Sequence, residues 1–148
     1  MRKVKLDKDR CVSCHTCEIA CALQHSENKD DIENAYWEFP VPNSRLKIVV
    51  KKAKLKLQKC VHCKKPKCVD ACEEGAITKQ DDGVVVIDGS KCKGCWTCID
   101  ACPFDAIYKG NDDRTAVKCD LCMDLDVPAC VSSCHTLALS VEEGEAEA

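Results

Sequence analysis

Apolar residues come in short runs along this chain, each long enough for a strand and little more. The clearest is Val84-Val85-Val86-Ile87, which follows the turn Asp81-Asp82-Gly83 and faces Gly75-Ala76-Ile77-Thr78 across it. A β-branched run after an Asp-Gly turn predicts a hairpin, because glycine accepts the positive φ that a tight turn needs. A weaker copy joins Ala106-Ile107-Tyr108 to Thr115-Ala116-Val117 through the polar turn Asn111-Asp112-Asp113. Ile48-Val49-Val50 is another short run, and Lys54-Leu55-Lys56-Leu57-Gln58 alternates as a half-exposed strand does. Glu33 to Asn43, with Tyr36, Trp37, Phe39, Pro40 and Pro42, reads as an ordered but irregular loop. No apolar run approaches the roughly 18 residues of a membrane span, so no direct membrane crossing is expected.

Between these runs stand sixteen cysteines in four groups of four. They are Cys11, Cys14, Cys17, Cys21; Cys60, Cys63, Cys68, Cys72; Cys92, Cys95, Cys98, Cys102; and Cys119, Cys122, Cys130, Cys134. The third group, C-x2-C-x2-C-x3-C-P, has the bacterial ferredoxin spacing that holds cubane iron–sulfur clusters. A cubane takes four thiolates, so the sixteen cysteines match four 4Fe–4S clusters with none left over. In every group three residues, one helical turn, separate the last two cysteines. Each motif therefore starts in a loop and ends in a short helix. The loop turns backbone N–H groups toward sulfur, and Gly94 suits such a close approach.

Two other uses of cysteine fit less well. Disulfides need an oxidising compartment, and the start MRKVKLDKDR is charged throughout, without the apolar core of an export signal. A cytoplasmic location is the expectation. Zinc takes two C-x2-C pairs, which leaves the regular third and fourth cysteines of each group without a role.

With 148 residues the chain makes one compact domain or two very small ones. Its 45% hydrophobic content counts all the cysteines, and there are only two Trp, two Tyr and two Phe. The core is thin, so metal binding is expected to supply part of the folding energy. Net charge is −3, unevenly spread: Lys47 to Lys67 holds nine lysines and no acid, while Glu142, Glu143, Glu145 and Glu147 mark residues 141–148 as an acidic, disordered tail. The lysines either blunt a strand edge or dock an acidic partner. Nucleic acid is excluded as a partner by the acidic total and the lack of stacking aromatics in the basic stretch. On charge alone, Lys59, Lys64, Lys65 and Lys67 make the cluster of Cys60, Cys63 and Cys68 easier to reduce than that of Cys119, Cys122 and Cys130, which has Asp120, Asp124 and Asp126 around it.

In two-cluster ferredoxins the fourth cysteine of a run binds the other cluster. The groups must then pair, either in sequence, one with two and three with four, or nested, two with three and one with four. The 75–90 hairpin favours two with three, the short 103–118 link also permits three with four, and spacing alone leaves both open.

The ordered motifs from Cys11 to Cys134 resemble the four-cluster electron-transfer subunits of anaerobic oxidoreductases. These accompany dimethyl sulfoxide reductases, formate dehydrogenases, formate hydrogenlyase, carbon monoxide dehydrogenase and tungsten aldehyde oxidoreductases. Cys21-Ala22-Leu23-Gln24-His25-Ser26 and Cys92-Lys93-Gly94-Cys95-Trp96-Thr97-Cys98 are most similar to the carbon monoxide dehydrogenase and hydrogenase-linked carriers. The resemblance implies nested pairing: Cys11, Cys14, Cys17 with Cys134; Cys119, Cys122, Cys130 with Cys21; Cys60, Cys63, Cys68 with Cys102; and Cys92, Cys95, Cys98 with Cys72. It implies an α+β fold of two dicluster ferredoxin-like modules, with small helices and short hairpins around four cubanes. The outer module would be 1–59 and 103–140, including the insert 22–59, and the inner one 60–102. Glu73 and His135 stand where the family often has proline.

His15, His62 and His135 lie in or beside the motifs, but four complete cysteine sets leave them no ligand position, and they read as solvent-facing or N–H-donating neighbours. Trp96 reads as a shield against water. No nucleotide fingerprint and no nucleophile–base constellation occurs, so the chain reads as non-catalytic. The expected role is an iron–sulfur subunit. It would relay single electrons between a catalytic partner of tungsten, molybdenum, carbon monoxide dehydrogenase or hydrogenase type and an acceptor subunit or carrier. A free-standing polyferredoxin is the alternative, and an iron–sulfur sensor a distant third.

Overall fold

Every cysteine group is entered from a strand, and three of the four leave into one. The computed structural model describes residues 1–144. In chain order the elements are β1 (Arg2–Leu6), α1 (Thr16–Gln24), α2 (Ile32–Trp37), β2 (Leu46–Lys51), β3 (Lys54–Lys59), α3 (Lys67–Asp70), β4 (Ile77–Lys79), β5 (Val85–Ile87), α4 (Thr97–Ala101), β6 (Tyr108–Lys109), β7 (Ala116–Val117), α5 (Ala129–Ser132) and β8 (Leu139–Glu143). Among the described residues the strands form four antiparallel pairs: β2 with β3, β4 with β5, β6 with β7, and β1 with β8. The last pair joins the two ends of the chain, with Val4 opposite Val141 and Leu6 opposite Leu139.

Both expected hairpins are present, 77–87 and 108–117. After Cys72, Cys102 and Cys134 the chain makes the same turn: Gly75, Asp105 and Leu137 have positive φ, and each donates its N–H to the carbonyl of that cysteine. A buried alanine and a buried aliphatic residue follow each time, as Ala76-Ile77, Ala106-Ile107 and Ala138-Leu139. The repeat thus includes the chain exit as well as the cysteines.

Helices pack in two pairs, α1 on α5 and α3 on α4. Val4, Leu46, Ile48, Val84, Leu121 and Leu139 form the larger apolar cluster with Cys17, Cys21 and Cys130. A smaller one gathers Ile77, Val85, Ile107 and Ala116 around Cys98. Ile107, just before the 108–117 hairpin, and Ala116 within it pack with Ile77, Val85 and Cys98.

Two expectations change. Residues 141–143 form the outer half of β8 rather than part of a disordered tail. Val141 is half-buried opposite Val4, Glu142 and Glu143 are exposed, and Glu142 is paired with Lys5 at 2.6 Å. Residues 145–148 lie outside the described part. The supposed irregular loop at 33–43 opens with α2, whose Asp31 side chain accepts from the N–H groups of Glu33 and Asn34, the donors a helix start leaves without partners. The charged start is a strand, and the Arg2 guanidinium donates to the carbonyls of Leu125 and Asp126 at 2.7 Å each.

Leu46 is 1% exposed and Val50 56% exposed on the same strand. Leu46→Ala should cost about 2–5 kcal/mol, the usual effect of truncating a buried leucine. Val50→Ala should leave the anaerobic thermal midpoint nearly unchanged. Circular dichroism melts of the two variants check this contrast.

Candidate metal centre

Four loops of one shape carry the cysteines. In each, the residue before the second cysteine sits in the left-handed region: Ser13 (φ 55), His62 (φ 51), Gly94 (φ 66) and Leu121 (φ 63). Such a kink curls the backbone so that several N–H groups point to one side, a concave arrangement that suits anions and sulfur. Only one of the four is glycine. A Cβ at Gly94 would meet the Arg114 carbonyl oxygen at 2.6 Å, so it is close approach of the 108–117 hairpin that requires glycine there.

The groups fall into two types. In groups one and three, which share the x2–x2 spacing, His15 and Trp96 are left-handed residues that start α1 and α4. In groups two and four the longer spacers carry Pro66 and Pro128, in extended conformation directly before α3 and α5. Each helix pair therefore joins one group of each type.

Cysteines from different groups meet accordingly. One apolar recess is lined by Cys60, Cys63, Cys68 and Cys102, with Val61, Val85, Phe104 and Ile107. A second is lined by Cys72, Cys92, Cys95 and Cys98, with Ile77 and Trp96. Lys109 lies 4.8 Å over the Trp96 ring, on the rim of that wall. Cys130 is buried, and its thiol is pushed up by burial and then by Cys119, Cys21, Cys122 and Cys17. Cys134 is within electrostatic reach of Cys14 and Cys17 and packs, like Cys11, against the larger apolar cluster. Burial followed by Cys92, Cys95 and Cys72 pushes Cys98 up to about 11. Buried thiols crowded in this way become thiolates only when cationic metal offsets their charge.

Backbone donors reach the sulfurs. Arg45 N–H donates to Cys21 Sγ at 3.3 Å, His62 N–H to Cys60 Sγ at 3.4 Å, and Ala116 N–H to Cys92 Sγ at 3.4 Å. Among the described residues, the buried side-chain nitrogens without a protein partner are Arg45 Nε and His62 Nε2. Both residues already donate to a cysteine sulfur through the main chain. Spare donors beside sulfur, an apolar wall and four cysteines per recess fit iron–sulfur clusters.

The histidines separate. His15 is exposed and 2.8 Å from Glu18, and His135 is exposed. Of the two roles expected for it, solvent-facing or N–H-donating, His62 takes the second: it is 1% exposed, because β5 closes over it and Val85 N–H donates to its Nδ1 at 3.0 Å. Burial, then Lys118 and Lys59, hold its pKa down to about 3, so the ring is neutral with its proton on Nε2. His25, which the spacing argument passed over, is 3.2 Å from Asp120. Burial opposes its charge, but Asp120 and then Cys21 outweigh that and raise its pKa to about 9. Arg45 also donates to Asp120, at 2.5 Å. Asp120, expected to make its cluster harder to reduce, is thus neutralised locally.

Comparison with known proteins agrees with this chemistry. Residues 52–144 match the 4Fe–4S dicluster domain, and residues 8–24 match a 4Fe–4S binding domain. The putative electron transport protein YsaA of Escherichia coli is 33% identical over 97% of this chain and 91% of its own length. The formate dehydrogenase-O iron–sulfur subunit of the same organism is 34% identical over 90% of this chain, which spans only 50% of that protein. In structure, the active-site complex BamBC of benzoyl coenzyme A reductase has a chain that superimposes over all of this one and 82% of its own, with a TM-score of 0.54 at 25% identity.

Gly94→Ala should drive the third loop from the 108–117 hairpin and drop bound iron from about sixteen to about twelve atoms per chain, one cubane's worth. Ser13→Gly, at the equivalent position of the first loop, should keep the full content. Anaerobic iron analysis of the two variants decides between a steric and a conformational need for glycine.

Proposed function

The chain belongs to the 4Fe–4S dicluster domain family, and from that premise we propose that it is a non-catalytic electron-transfer subunit of an oxidoreductase. Its sixteen cysteines would hold four 4Fe–4S clusters in the nested sets Cys11, Cys14, Cys17, Cys134; Cys21, Cys119, Cys122, Cys130; Cys60, Cys63, Cys68, Cys102; and Cys72, Cys92, Cys95, Cys98. The observation that carries the proposal is the recess lined by Cys60, Cys63 and Cys68 of one group with Cys102 of the next. The second recess, with Cys72 beside Cys92, Cys95 and Cys98, supports the same exchange. Packing of α1 on α5 and of β1 on β8 supports the pairing of groups one and four.

Two ferredoxin-like modules follow from these sets. The inner one is best drawn with the 108–117 hairpin included, since its side chains pack there. The outer one runs through Glu143, because β8 is the partner of β1.

A 4Fe–4S cluster accepts and returns one electron at a time. The protein's part is to fix the cysteines, to supply N–H groups to sulfur, and to keep water from the recesses with Ile77, Ile107, Phe104 and Trp96. Cys14 and Cys95 lie at the surface and accept from Thr16 and Thr97 hydroxyls, which puts the outermost sulfurs within reach of a redox partner.

A docked subunit suits the surface better than a diffusing carrier does. Tyr36, Trp37 and Phe39 are exposed, Phe39 at 95%, in a chain with so few aromatics. Glu38 anchors that segment through Ser26 and Asn28, so the aromatics stand on an ordered base. A catalytic redox subunit of the tungsten, molybdenum, carbon monoxide dehydrogenase or hydrogenase type is the proposed occupant, with an acceptor subunit or carrier at the other end of the chain of clusters. No helix among the described residues is long and apolar enough to cross a membrane.

The protein isolated anaerobically from its native host should contain about sixteen iron and sixteen acid-labile sulfide per chain. It should co-purify with a redox enzyme whose substrate bleaches or restores the visible absorbance of this chain. Zinc without sulfide would overturn the cofactor. A fully loaded protein that is always isolated alone would favour the free carrier.

A further inference from the structure

Two lysines are buried where lysine is rarely tolerated. Lys118 is 2% exposed and Lys59 9% exposed. Neither forms an ion pair with a carboxylate among the described residues. Lys118 Nζ donates to the Val85 carbonyl and, at 3.0 Å, to the Cys119 carbonyl, while Lys59 Nζ donates to the Cys60 carbonyl at 3.2 Å. An ammonium group held only by carbonyl dipoles is costly to bury unless further negative charge lies nearby.

Their positions in the repeat are equivalent. Each directly precedes the first cysteine of a long-spacer group, and each turns its ammonium back onto the carbonyl of that cysteine. The corresponding cations of groups one and three, Arg10 and Lys91, are exposed and make ordinary ion pairs with Asp7 and Asp88, three residues earlier. Burial therefore singles out the two long-spacer groups. Lys118 also reaches across: its ammonium, which precedes group four, holds the carbonyl of Val85, and Val85 lines the recess of Cys60, Cys63, Cys68 and Cys102. His62 lies between them, neutral, with Val85 N–H on its Nδ1 while Lys118 holds the carbonyl of the same residue. Asp120, the residue after Cys119, is already engaged by Arg45 and His25.

We propose that Lys59 and Lys118 are a matched pair of buried cations that raise the reduction potentials of the two central clusters, those of Cys60, Cys63, Cys68, Cys102 and of Cys21, Cys119, Cys122, Cys130, above those of the outer two. This rests on the nested sets given above. One-electron reduction adds a negative charge to a cluster, and a fixed positive charge in a water-excluded interior stabilises that reduced form. Because Lys118 holds both the Cys119 carbonyl and the carbonyl of Val85 beside the Cys60–Cys102 recess, it bears on both central clusters. Both lysines act as positioning charges and neither touches the electron path as a carrier.

The test is a potentiometric titration of the fully loaded protein with dithionite, followed by electron paramagnetic resonance. Wild type, Lys118→Met, Lys118→Gln, Lys118→Arg and Lys59→Met are compared at equal iron content. Lys118→Met and Lys59→Met should each shift the higher-potential clusters downward and leave the two lowest midpoints unchanged. Lys118→Gln, which keeps a donor for the Val85 carbonyl, should shift like Lys118→Met, and Lys118→Arg should stay near wild type. Unchanged midpoints in the Met variants, or an equal shift of all four, would overturn the proposal. So would loss of iron from Lys118→Gln, which would make the lysine a prop for the fold. Failure of the wild type to carry four clusters would instead sink the ligand sets themselves.

Discussion

One turn of helix lies between the third and fourth cysteine of every group, and it carries the fourth sulfur out of the loop that presents the first three. In the proposed ligand sets no group then completes four ligands alone, and each needs another set against it. The packing of α1 on α5 and of α3 on α4 fits that need. So does the β1–β8 pair, which closes the chain from its first strand to its last. The aliphatic core is small because much of the interior consists of cysteine walls. Apolar residues such as Ile77, Ile107 and Leu139 line or back those walls, and so serve packing and water exclusion together.

Within that frame the two kinds of loop divide the work. Short-spacer loops begin their helices from a left-handed residue and leave Cys14 and Cys95 at the surface. Long-spacer loops begin theirs after a proline, and their leading lysines point inward. The proposed wire therefore has exposed ends and a positively charged middle. The insert between groups one and two adds the Leu46–Lys59 hairpin to the core and lifts Tyr36, Trp37 and Phe39 off it.

Much of this was legible in the chain itself. The proposed ligands come from cysteine spacing, and the 77–87 hairpin announces itself by Asp-Gly. Several features carry no such signal. The 46–59 hairpin turns on Lys52 and Ala53, both at positive φ, where a tight turn usually has Asn or Gly. The curl before the second cysteine is held by Ser13, His62 and Leu121 as well as by Gly94, so glycine marks a steric demand at one loop and not the conformation common to all four. β1 and β8 are short, lysine- and glutamate-rich, and distant in sequence; alternation hides in charged termini until the partner strand is known. Burial of Lys59, Lys118 and His62 could not be read either, since nothing local distinguishes them from exposed neighbours such as Lys64. The charge argument built on sequence neighbours consequently missed both the neutralisation of Asp120 and the reach of Lys118 to Val85 beside the Cys60–Cys102 recess.

The central claim is the exchange of fourth cysteines, and the most direct measurement is cluster-resolved Mössbauer and electron paramagnetic resonance spectroscopy of the Cys134→Ser protein. Nested pairing predicts that the perturbed cluster is the one bound by Cys11, Cys14 and Cys17, more than a hundred residues away in sequence. A change confined instead to the cluster of Cys92, Cys95 and Cys98, with the first group untouched, would contradict the account.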